Sequence, residues 1–335
     1  ISGWMCDRFQ PAKLVAVALL TTSSMNLIVP FCGLTAVRTV VWCINGIAQA
    51  FIWPPLVRMI PELLEPEQQL KAGVRISWGG HIGNIAIYIL APILISLSGW
   101  RAVFLFSSAA GFITLGLWVF CCKGFSVEFK SHSKIDGSIP EHKPVIPVAL
   151  LLIIILTIIL QGSLRDGVTT WMPSYISETF SLGNNISILT GVAMPLFALF
   201  CIWGTEYMYY HLKSVQKCCI FYFVAALIAA ALIPAAAKSN IFITVLLASI
   251  LVGSMHGINI LQTCMLPRKL VGNERLGLFS GIFNGCVYIG SAVSTYGFAG
   301  ISETFGWNGT VITWCIVSAL GALLCGSLFF MKKDL

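Results

Sequence analysis

Two adjacent charged residues, Arg165 and Asp166, interrupt the most apolar part of the chain. They follow a nearly unbroken apolar run from Val145 to Leu164, and apolar and aromatic residues continue beyond them to Ile176. A charged side chain at the centre of a membrane-spanning helix costs about 3 kcal/mol even on a permissive scale, and such residues usually line a substrate or ion pathway. Arg165 is therefore the first candidate binding residue.

Asp166 leaves the role of this charge pair open. It orients the Arg165 guanidinium toward an anion, or it neutralises the guanidinium and lowers its affinity for anions. A further interpretation places both residues at the outer membrane interface as a self-paired cap, because the 20 residues from Val145 to Leu164 already span about 30 Å. The apolar and aromatic residues that continue to Ile176 favour one long helix instead.

Two pairs of polar residues also lie within apolar segments. His256 and Asn259 are three residues apart, and Asn284 and Tyr288 are four apart, so each pair shares one helical face. One explanation is interhelical hydrogen bonding, worth about 0.6 kcal/mol per contact. The other is that these side chains line a central cavity.

The composition defines the setting of these residues. Hydrophobic residues make up 57% of the 335 positions and charged residues only 10%, with a mean hydropathy of +0.89. Soluble domains carry roughly 25% charged residues, and the alternating pattern of a membrane barrel is absent, so an all-α membrane protein is predicted. Ten segments have the roughly 20 apolar residues that a spanning helix needs, at 14–32, 38–60, 72–97, 101–122, 146–176, 187–207, 216–237, 241–265, 276–301 and 308–331.

Basic residues are concentrated on alternate loops. Sixteen of the 20 Lys and Arg residues fall on one set of loops and ends, whereas Arg38, Arg101 and Lys238 fall on the other. By the positive-inside rule, both ends of this sequence are cytoplasmic. This distribution explains the net charge of +7 without a nucleic-acid partner. The polar stretch 123–146 is predicted to be a cytoplasmic linker between an N-terminal bundle, 1–122, and a C-terminal bundle, 147–335.

The two bundles carry an internal repeat. Gly99-Trp100 recurs as Gly306-Trp307, an offset of 207 residues. The same offset pairs Gly46 with Gly253, Gln49 with His256 and His81 with Tyr288. Two parallel, pseudo-repeated bundles are therefore expected. The offset also predicts two further helices ahead of Ile1, making twelve, with the repeat partner of Arg165 in the first of them.

The sequence contains no pattern that indicates an enzyme. None of the 12 cysteines forms a Cys-x-x-Cys pair, and most lie in apolar segments, where they act as small core residues. A nucleophile with a neighbouring base, a metal-ligand spacing and a glycine loop that cradles phosphate are all missing. We therefore expect no enzymatic activity, no metal site and no cofactor.

Four motifs together carry a family resemblance. They are GWMCDRFQPAK from Gly3, NGIAQAFIWPPLVRMI from Asn45, SWGGHIGNI from Ser77 and LRDGVTTWMPSYI from Leu164. With these motifs the chain resembles the major facilitator superfamily and, within it, the organophosphate:phosphate antiporters, the family of glycerol-3-phosphate and hexose-6-phosphate transporters. The resemblance covers essentially the whole sequence. It implies the major facilitator fold, with ten of an expected twelve transmembrane helices in the present sequence.

The resemblance also implies roles for individual residues. It makes Arg165 one of two symmetry-related arginines that bind the substrate phosphate, and it places His81 at the same site. Asp166 departs from the family pattern. The candidate substrate-binding residues are Arg165, His81, Asp166, Trp171, Gln49, Asn84, His256, Asn259, Asn284 and Tyr288. The candidate gating and structural residues are Asp7, Arg8, Trp53, Pro54, Pro55 and Arg58.

Three functions follow as hypotheses. The leading one is a monomeric secondary transporter in the cytoplasmic membrane that moves an organic phosphate or related organic anion by alternating access, in exchange for inorganic phosphate. The second is a proton- or cation-coupled organic anion symporter of the same superfamily, with Asp166 and His81 as the titrating residues. The third, of a different class, is a membrane sensor of sugar phosphates that signals to a partner kinase.

Overall fold

The computed structural model describes residues 1–124, 147–181, 190–271 and 275–331. Within these ranges the backbone forms helices joined by short turns, without a strand, which confirms the all-α prediction. The predicted linker 123–146 lies, from residue 125 onward, outside the described residues, as does the predicted start of the sixth span at residue 187.

The helices follow the predicted apolar segments closely. The first described range contains α1 Ser2–Arg8, α2 Pro11–Ile28, α3 Thr35–Gln49, α4 Trp53–Leu63, α5 Pro66–Ser98 and α6 Trp100–Gly124. The later ranges contain α7 Val148–Phe180, α8 Ala193–Leu212, α9 Val215–Ala236, α10 Ile241–Ile260, a single π-helical turn Leu261–Met265, α11 Leu266–Leu270 and α12 Leu276–Met331.

Eight stretches of the described chain are long and apolar enough to cross a membrane. The 20-residue helix α8 is not among them, and the last stretch, Leu276–Leu328, has 53 residues, more than twice the roughly 20 that a crossing needs. α12 breaks at Gly306 into two arms, 276–305 and 307–331. With these two arms counted separately and α8 included, the described helices correspond to the ten predicted segments.

The Trp-Pro-Pro motif begins a helix. α3 ends at Gln49 and α4 starts at Trp53, so Pro54 and Pro55 occupy the first turn of α4. Proline is tolerated there because the first N–H groups of a helix have no partner within the helix. The predicted segment 38–60 therefore consists of two helices with a turn at 50–52.

The repeated Gly-Trp pairs adopt the same backbone conformation. Gly99 has φ 75° and ψ 175°, and Gly306 has φ 66° and ψ −175°. This region of backbone space is accessible essentially to glycine alone. Each glycine ends one helix, and the tryptophan after it, Trp100 or Trp307, begins the next. The internal repeat seen in the sequence is thus a repeat of local structure at this turn.

The first compact unit consists of Ile1–Gln69, Ile89–Lys143 and Val271–Ile282. Its helix α2 packs against α3 and α6. Two hydrogen bonds join α6 to α2: Ser108 Oγ donates to the carbonyl of Ser23 (2.8 Å), and Trp118 Nε1 donates to the carbonyl of Ala12 (2.9 Å).

The second compact unit consists of Leu70–Tyr88, Pro144–Leu270 and Phe283–Leu335. Its helix α10 packs against α7, α8 and α9. The core contains the fully buried rings of Phe223, Phe283 and Trp314. All the predicted substrate-binding residues except Gln49 belong to this unit. The bundle limits 1–122 and 147–335 stay a prediction.

Gly306→Ala is expected to destabilise the protein by about 1–3 kcal/mol, because an added Cβ strains this backbone conformation. Thermal unfolding followed by tryptophan fluorescence should show a lower midpoint. Gly300→Ala in the same helix is the matched control, since nothing lies within 4 Å of the Cβ added there. A midpoint for Gly306→Ala equal to that of the wild type would contradict the assigned turn.

Candidate functional site

Arg165 lies in the middle of a long helix. α7 continues without a break from Val148 to Phe180, so the interpretation of Arg165 and Asp166 as a cap beyond Leu164 is wrong. The apolar and aromatic residues after Asp166 sustain the helix, and its Pro173 is accommodated within it. The Arg165 side chain is 12% exposed and that of Asp166 is 29% exposed. A guanidinium is thus held well inside the membrane-spanning segment.

The Arg165 guanidinium has two side-chain partners. Asp166 accepts two hydrogen bonds from it, Nε to Oδ1 at 2.6 Å and Nη2 to Oδ2 at 2.7 Å. Asn259 Oδ1 on α10 accepts a third from Nη1 at 3.2 Å. Charge-assisted bidentate pairs of this kind are both strong and geometrically specific. The sequence suggested both an orienting and a neutralising role for Asp166, and the geometry is compatible with both.

Two histidines form a ring pair near Arg165. The His81 and His256 rings meet edge to face with centroids 4.4 Å apart. His81 Nδ1 donates to the carbonyl of Ser77 (2.8 Å), which leaves Nε2 as the acceptor of the neutral ring. That Nε2 is buried and has no hydrogen-bond partner within the part of the chain that the structure describes. Both histidines are close enough to Arg165 to interact with its charge.

α12 brings a tyrosine toward the same charge. Tyr288 interacts electrostatically with Arg165, although the Tyr288 side chain is largely exposed. The close approach of α7 and α12 depends on two glycines. A Cβ on Gly162 would collide with the carbonyl of Val287, and a Cβ on Gly290 would collide with the carbonyl of Ile159. These contacts hold α12, which carries Tyr288, closely against α7.

A polar stripe on α7 was not singled out in the sequence. Thr157, Gln161 and Arg165 are spaced by four residues, so they share one helical face. Gln161 Nε2 donates to the carbonyl of Met255 (3.0 Å), and Gln262 Nε2 in the π-helical turn donates to Thr157 Oγ1 (3.1 Å). The four-residue spacing of these polar residues within an apolar run was the sequence signal that could have predicted this polar face. The stripe bonds α7 to α10 and to the turn that follows it.

The remaining predicted binding residues are less closely connected to Arg165. Trp171 Nε1 donates to the carbonyl of Thr295 (3.0 Å) and so links α7 to α12. Asn84 is exposed one turn beyond His81 on α5, and Asn284 is half-buried on α12. Gln49 belongs to the first unit, where it is exposed at the end of α3.

Two of the candidate gating residues, Asp7 and Arg58, form a charge cluster in the first unit. Asp7 accepts hydrogen bonds from the backbone N–H groups of Gly277 (2.9 Å) and Leu278 (2.8 Å), in the first turn of α12. Arg58 lies 3.5 Å from Asp7 and 2.9 Å from Glu62. A carboxylate at a helix N-terminus satisfies N–H groups that the helix leaves unpaired and complements the helix dipole.

Burial is the largest influence on the pKa of the Asp7 carboxyl. It raises the pKa of this carboxyl above its ordinary value, and the two backbone N–H donors and Arg58 offset part of that increase. Arg8, its neighbour in the loop motif, makes a different contact: its guanidinium stacks over the Trp4 ring at 4.2 Å.

Groups of three or more His, Cys, Asp or Glu side chains able to hold a metal are not found among the described residues. The Arg165 guanidinium and the amide N–H groups of Asn259 are hydrogen-bond donors, whereas the free Nε2 of neutral His81 is an acceptor.

Comparison with protein families shows the superfamily to which this chain belongs. Residues 1–295 match the family model described as Major Facilitator Superfamily. The chain belongs to this superfamily. It is 22% identical over 200 residues to "Probable anion transporter 2, chloroplastic" of Oryza sativa subsp. japonica, a match covering 54% of this chain and 37% of that relative. It is 27% identical over 101 residues to "Probable hexose phosphate transport protein" of Chlamydia trachomatis, covering 30% of this chain and 22% of that relative.

Solved structures agree on the fold. The present chain is similar to the structure of the proton:xylose symporter XylE bound to 6-bromo-6-deoxy-D-glucose, with a TM-score of 0.78 and 12% sequence identity. The match covers 99% of the present chain and 82% of the XylE chain. The major facilitator fold predicted from the motifs is thereby confirmed. The matched stretches span well under two thirds of the curated relatives described above.

Gly290→Ala should lower stability by about 1–3 kcal/mol, because the added methyl overpacks the contact between α7 and α12. Gly297→Ala is the control in the same helix, with open space around the added Cβ. Thermal unfolding midpoints of both variants test the contact. If Gly290→Ala and Gly297→Ala unfold at the same temperature, the close packing of α7 on α12 is not present.

Asp7→Asn is expected to change how stability depends on pH. Because the folded-state pKa of Asp7 is raised, the folded protein binds this proton more tightly than the unfolded chain. The stability contribution of Asp7 therefore increases as pH falls through the raised pKa and decreases as pH rises. Relative to Asp7→Asn, the wild type should gain stability as the pH falls from about 7 to about 4, close to the ordinary carboxyl pKa of 3.8.

The measurement is the difference in unfolding midpoint between wild type and Asp7→Asn at the two pH values. Glu303→Gln replaces an exposed carboxylate by an amide and serves as the matched control. A wild-type midpoint that falls relative to the midpoint of Asp7→Asn on acidification would contradict the raised pKa.

Proposed function

We propose that this protein is a secondary active transporter of an organic phosphate or related organic anion, and that the anion binds at Arg165. The observation that carries the proposal is the buried guanidinium in the middle of α7. Among the contacts of the described residues, three of the five N–H groups of the arginine make the bonds to Asp166 and Asn259 described above, which leaves two for a ligand.

The neighbouring side chains support an anionic ligand. Asn259 uses its oxygen for Arg165, which leaves its amide N–H groups as donors. His256 on the same helical face and Tyr288 on α12 add further donors within electrostatic range of the arginine. The names of the relatives, an anion transporter and a hexose phosphate transport protein, point to the same class of ligand.

Transport by alternating access follows from the superfamily. We assign the protein to the cytoplasmic membrane, with both ends of this sequence on the cytoplasmic side, on the basis of its basic loops. Asp7, Arg8 and Arg58 are the candidates for holding one conformation, because Asp7 joins Arg58 to the start of α12. Trp53, Pro54 and Pro55 shape the entry into α4.

Two coupling modes are distinguished by counterflow. Exchange against preloaded inorganic phosphate supports the organophosphate:phosphate antiport that the motifs suggest. Dependence on a pH gradient, without a need for phosphate inside, supports proton-coupled symport. The ion pair of Arg165 with Asp166 is the observation that favours the second mode, since it adds a titratable group at the anion site.

Arg165→Lys is expected to reduce uptake of glucose 6-phosphate or phosphate into proteoliposomes at least about tenfold, because lysine keeps the charge but lacks the planar fork. Arg75→Lys, at an exposed position of α5, is the matched control and should retain wild-type uptake. Wild-type uptake by Arg165→Lys would rule out the arginine as the anion-binding residue.

A further inference from the structure

We propose that Asp166 couples anion binding to proton uptake by competing with the transported anion for the guanidinium of Arg165. The inference rests on the proposed function, since it requires the anion to bind at Arg165. It adds the identity of the proton-binding residue and the step at which the proton enters.

The ion pair already occupies the best anion-binding edge of the arginine. Asp166 covers the Nε and Nη2 donors with two short hydrogen bonds. This edge is the planar fork that a phosphate or carboxylate would engage bidentately. While Asp166 is ionised the pair has no net charge, so an incoming anion meets a filled fork and little electrostatic attraction. Strong binding therefore requires that Asp166 release the fork.

Protonation of Asp166 achieves this release with balanced charge. The carboxylate gains an O–H bond from a proton of the solution, and its two N–H···O⁻ bonds to Arg165 are replaced by two bonds from Arg165 to the anion. Before binding, the site holds one positive and one negative charge; afterwards it holds Arg165, a neutral Asp166 and the singly charged form of the anion, which a phosphate monoester adopts below its second pKa of about 6. An uncompensated charge is avoided in both states, which matters because a buried unpaired charge is costly.

Two features of the structure fit this exchange. The Asp166 side chain is 29% exposed, so a proton from solution can reach it, and it is the only member of the pair able to gain one, because Arg165 is already protonated. Asn259 holds Nη1 from α10 and keeps the guanidinium in place when the carboxylate withdraws. Since Arg165 and Asp166 are adjacent in α7, the exchange needs only a side-chain rotation.

The other titratable groups around the pair are His81 on α5, His256 on α10 and Tyr288 on α12. A proton on either imidazole would place a second positive charge beside Arg165 in a poorly solvated site. A proton on Asp166 removes a negative charge and adds none. The carboxylate is therefore the group whose protonation a bound anion promotes most directly, because the two ligands of Arg165 are thermodynamically linked.

The test is proton uptake on anion binding to the purified protein, obtained by calorimetry with glucose 6-phosphate in buffers of different ionisation enthalpy. The wild type should take up about one proton per bound anion. At about pH 5, where glucose 6-phosphate is already mostly the monoanion because its second pKa is about 6, Asp166→Asn should bind without proton uptake. Asp166→Glu should restore proton-linked binding.

Glu178→Gln is the matched control, since it removes a carboxylate from the outer end of the same helix, where Glu178 accepts a hydrogen bond from Trp307. It should keep the wild-type proton count. If Asp166→Asn does not fold, the wild-type count decides alone: anion binding without proton uptake overturns the proposal. Uptake that persists in Asp166→Asn, or that disappears in His81→Gln or His256→Gln but not in Asp166→Asn, also overturns it.

Failure of the underlying function gives a different result. If Arg165→Lys binds glucose 6-phosphate as the wild type does, or if neither glucose 6-phosphate nor inorganic phosphate binds to the wild type, the anion site itself is wrong. If Arg165→Lys loses binding while Asp166→Asn keeps the wild-type proton count, the anion site stands and only the coupling residue is wrong.

Discussion

A charge inside an apolar helix must be compensated, and the arrangement around Arg165 follows from that constraint. Its guanidinium would be costly in a membrane-spanning segment if it stood alone. Asp166 supplies the counter-charge from the next position of α7, and Asn259 supplies a neutral acceptor from α10. Removing one partner from a buried pair typically costs about 3–5 kcal/mol, because the other charge is left uncompensated. The same requirement makes an anion a natural replacement for the carboxylate.

The surrounding helices serve to keep this compensation in place. Gly162 and Gly290 allow α7 and α12 to approach until backbone meets backbone, and no larger residue fits there without a shift. Gln161 and Thr157 bond α7 to α10 and its π-helical turn below the arginine. π-helical turns occur frequently at functional sites because they change the register of a helix locally. The helix that carries the ion pair is thus held by close packing against α12 and by hydrogen bonds to α10 and its π-helical turn.

Much of the fold could be predicted because the bilayer restricts it. Each apolar segment of sufficient length had to become a helix, and the Gly-Trp repeat marked two turns that share one glycine-only conformation. The turn between α3 and α4, just before Trp53, was harder to predict from the sequence, because two short helices and one long helix have the same hydropathy. The length of α7 was open in the sequence, because the run to Leu164 alone was long enough to span.

The site could be predicted only in part. Arg165, Asp166 and His81 stood out by type and by motif, but their partners depend on how helices distant in sequence are packed. The bond of Arg165 to Asn259 joins residues 94 positions apart, and nothing in either segment specifies it. The edge-to-face contact of His81 with His256 likewise arises from tertiary packing. Local spacing shows which residues share a face, and packing decides what that face meets.

The central claim is that an anion displaces Asp166 from Arg165. The most direct measurement is an experimental structure of the protein with bound arsenate, a heavier mimic of phosphate, determined at acidic pH. The account predicts arsenate within hydrogen-bond distance of the Arg165 guanidinium, with the Asp166 carboxyl no longer bonded to Nε and Nη2. Arsenate bound elsewhere, or bound at Arg165 with the ion pair intact, would contradict it.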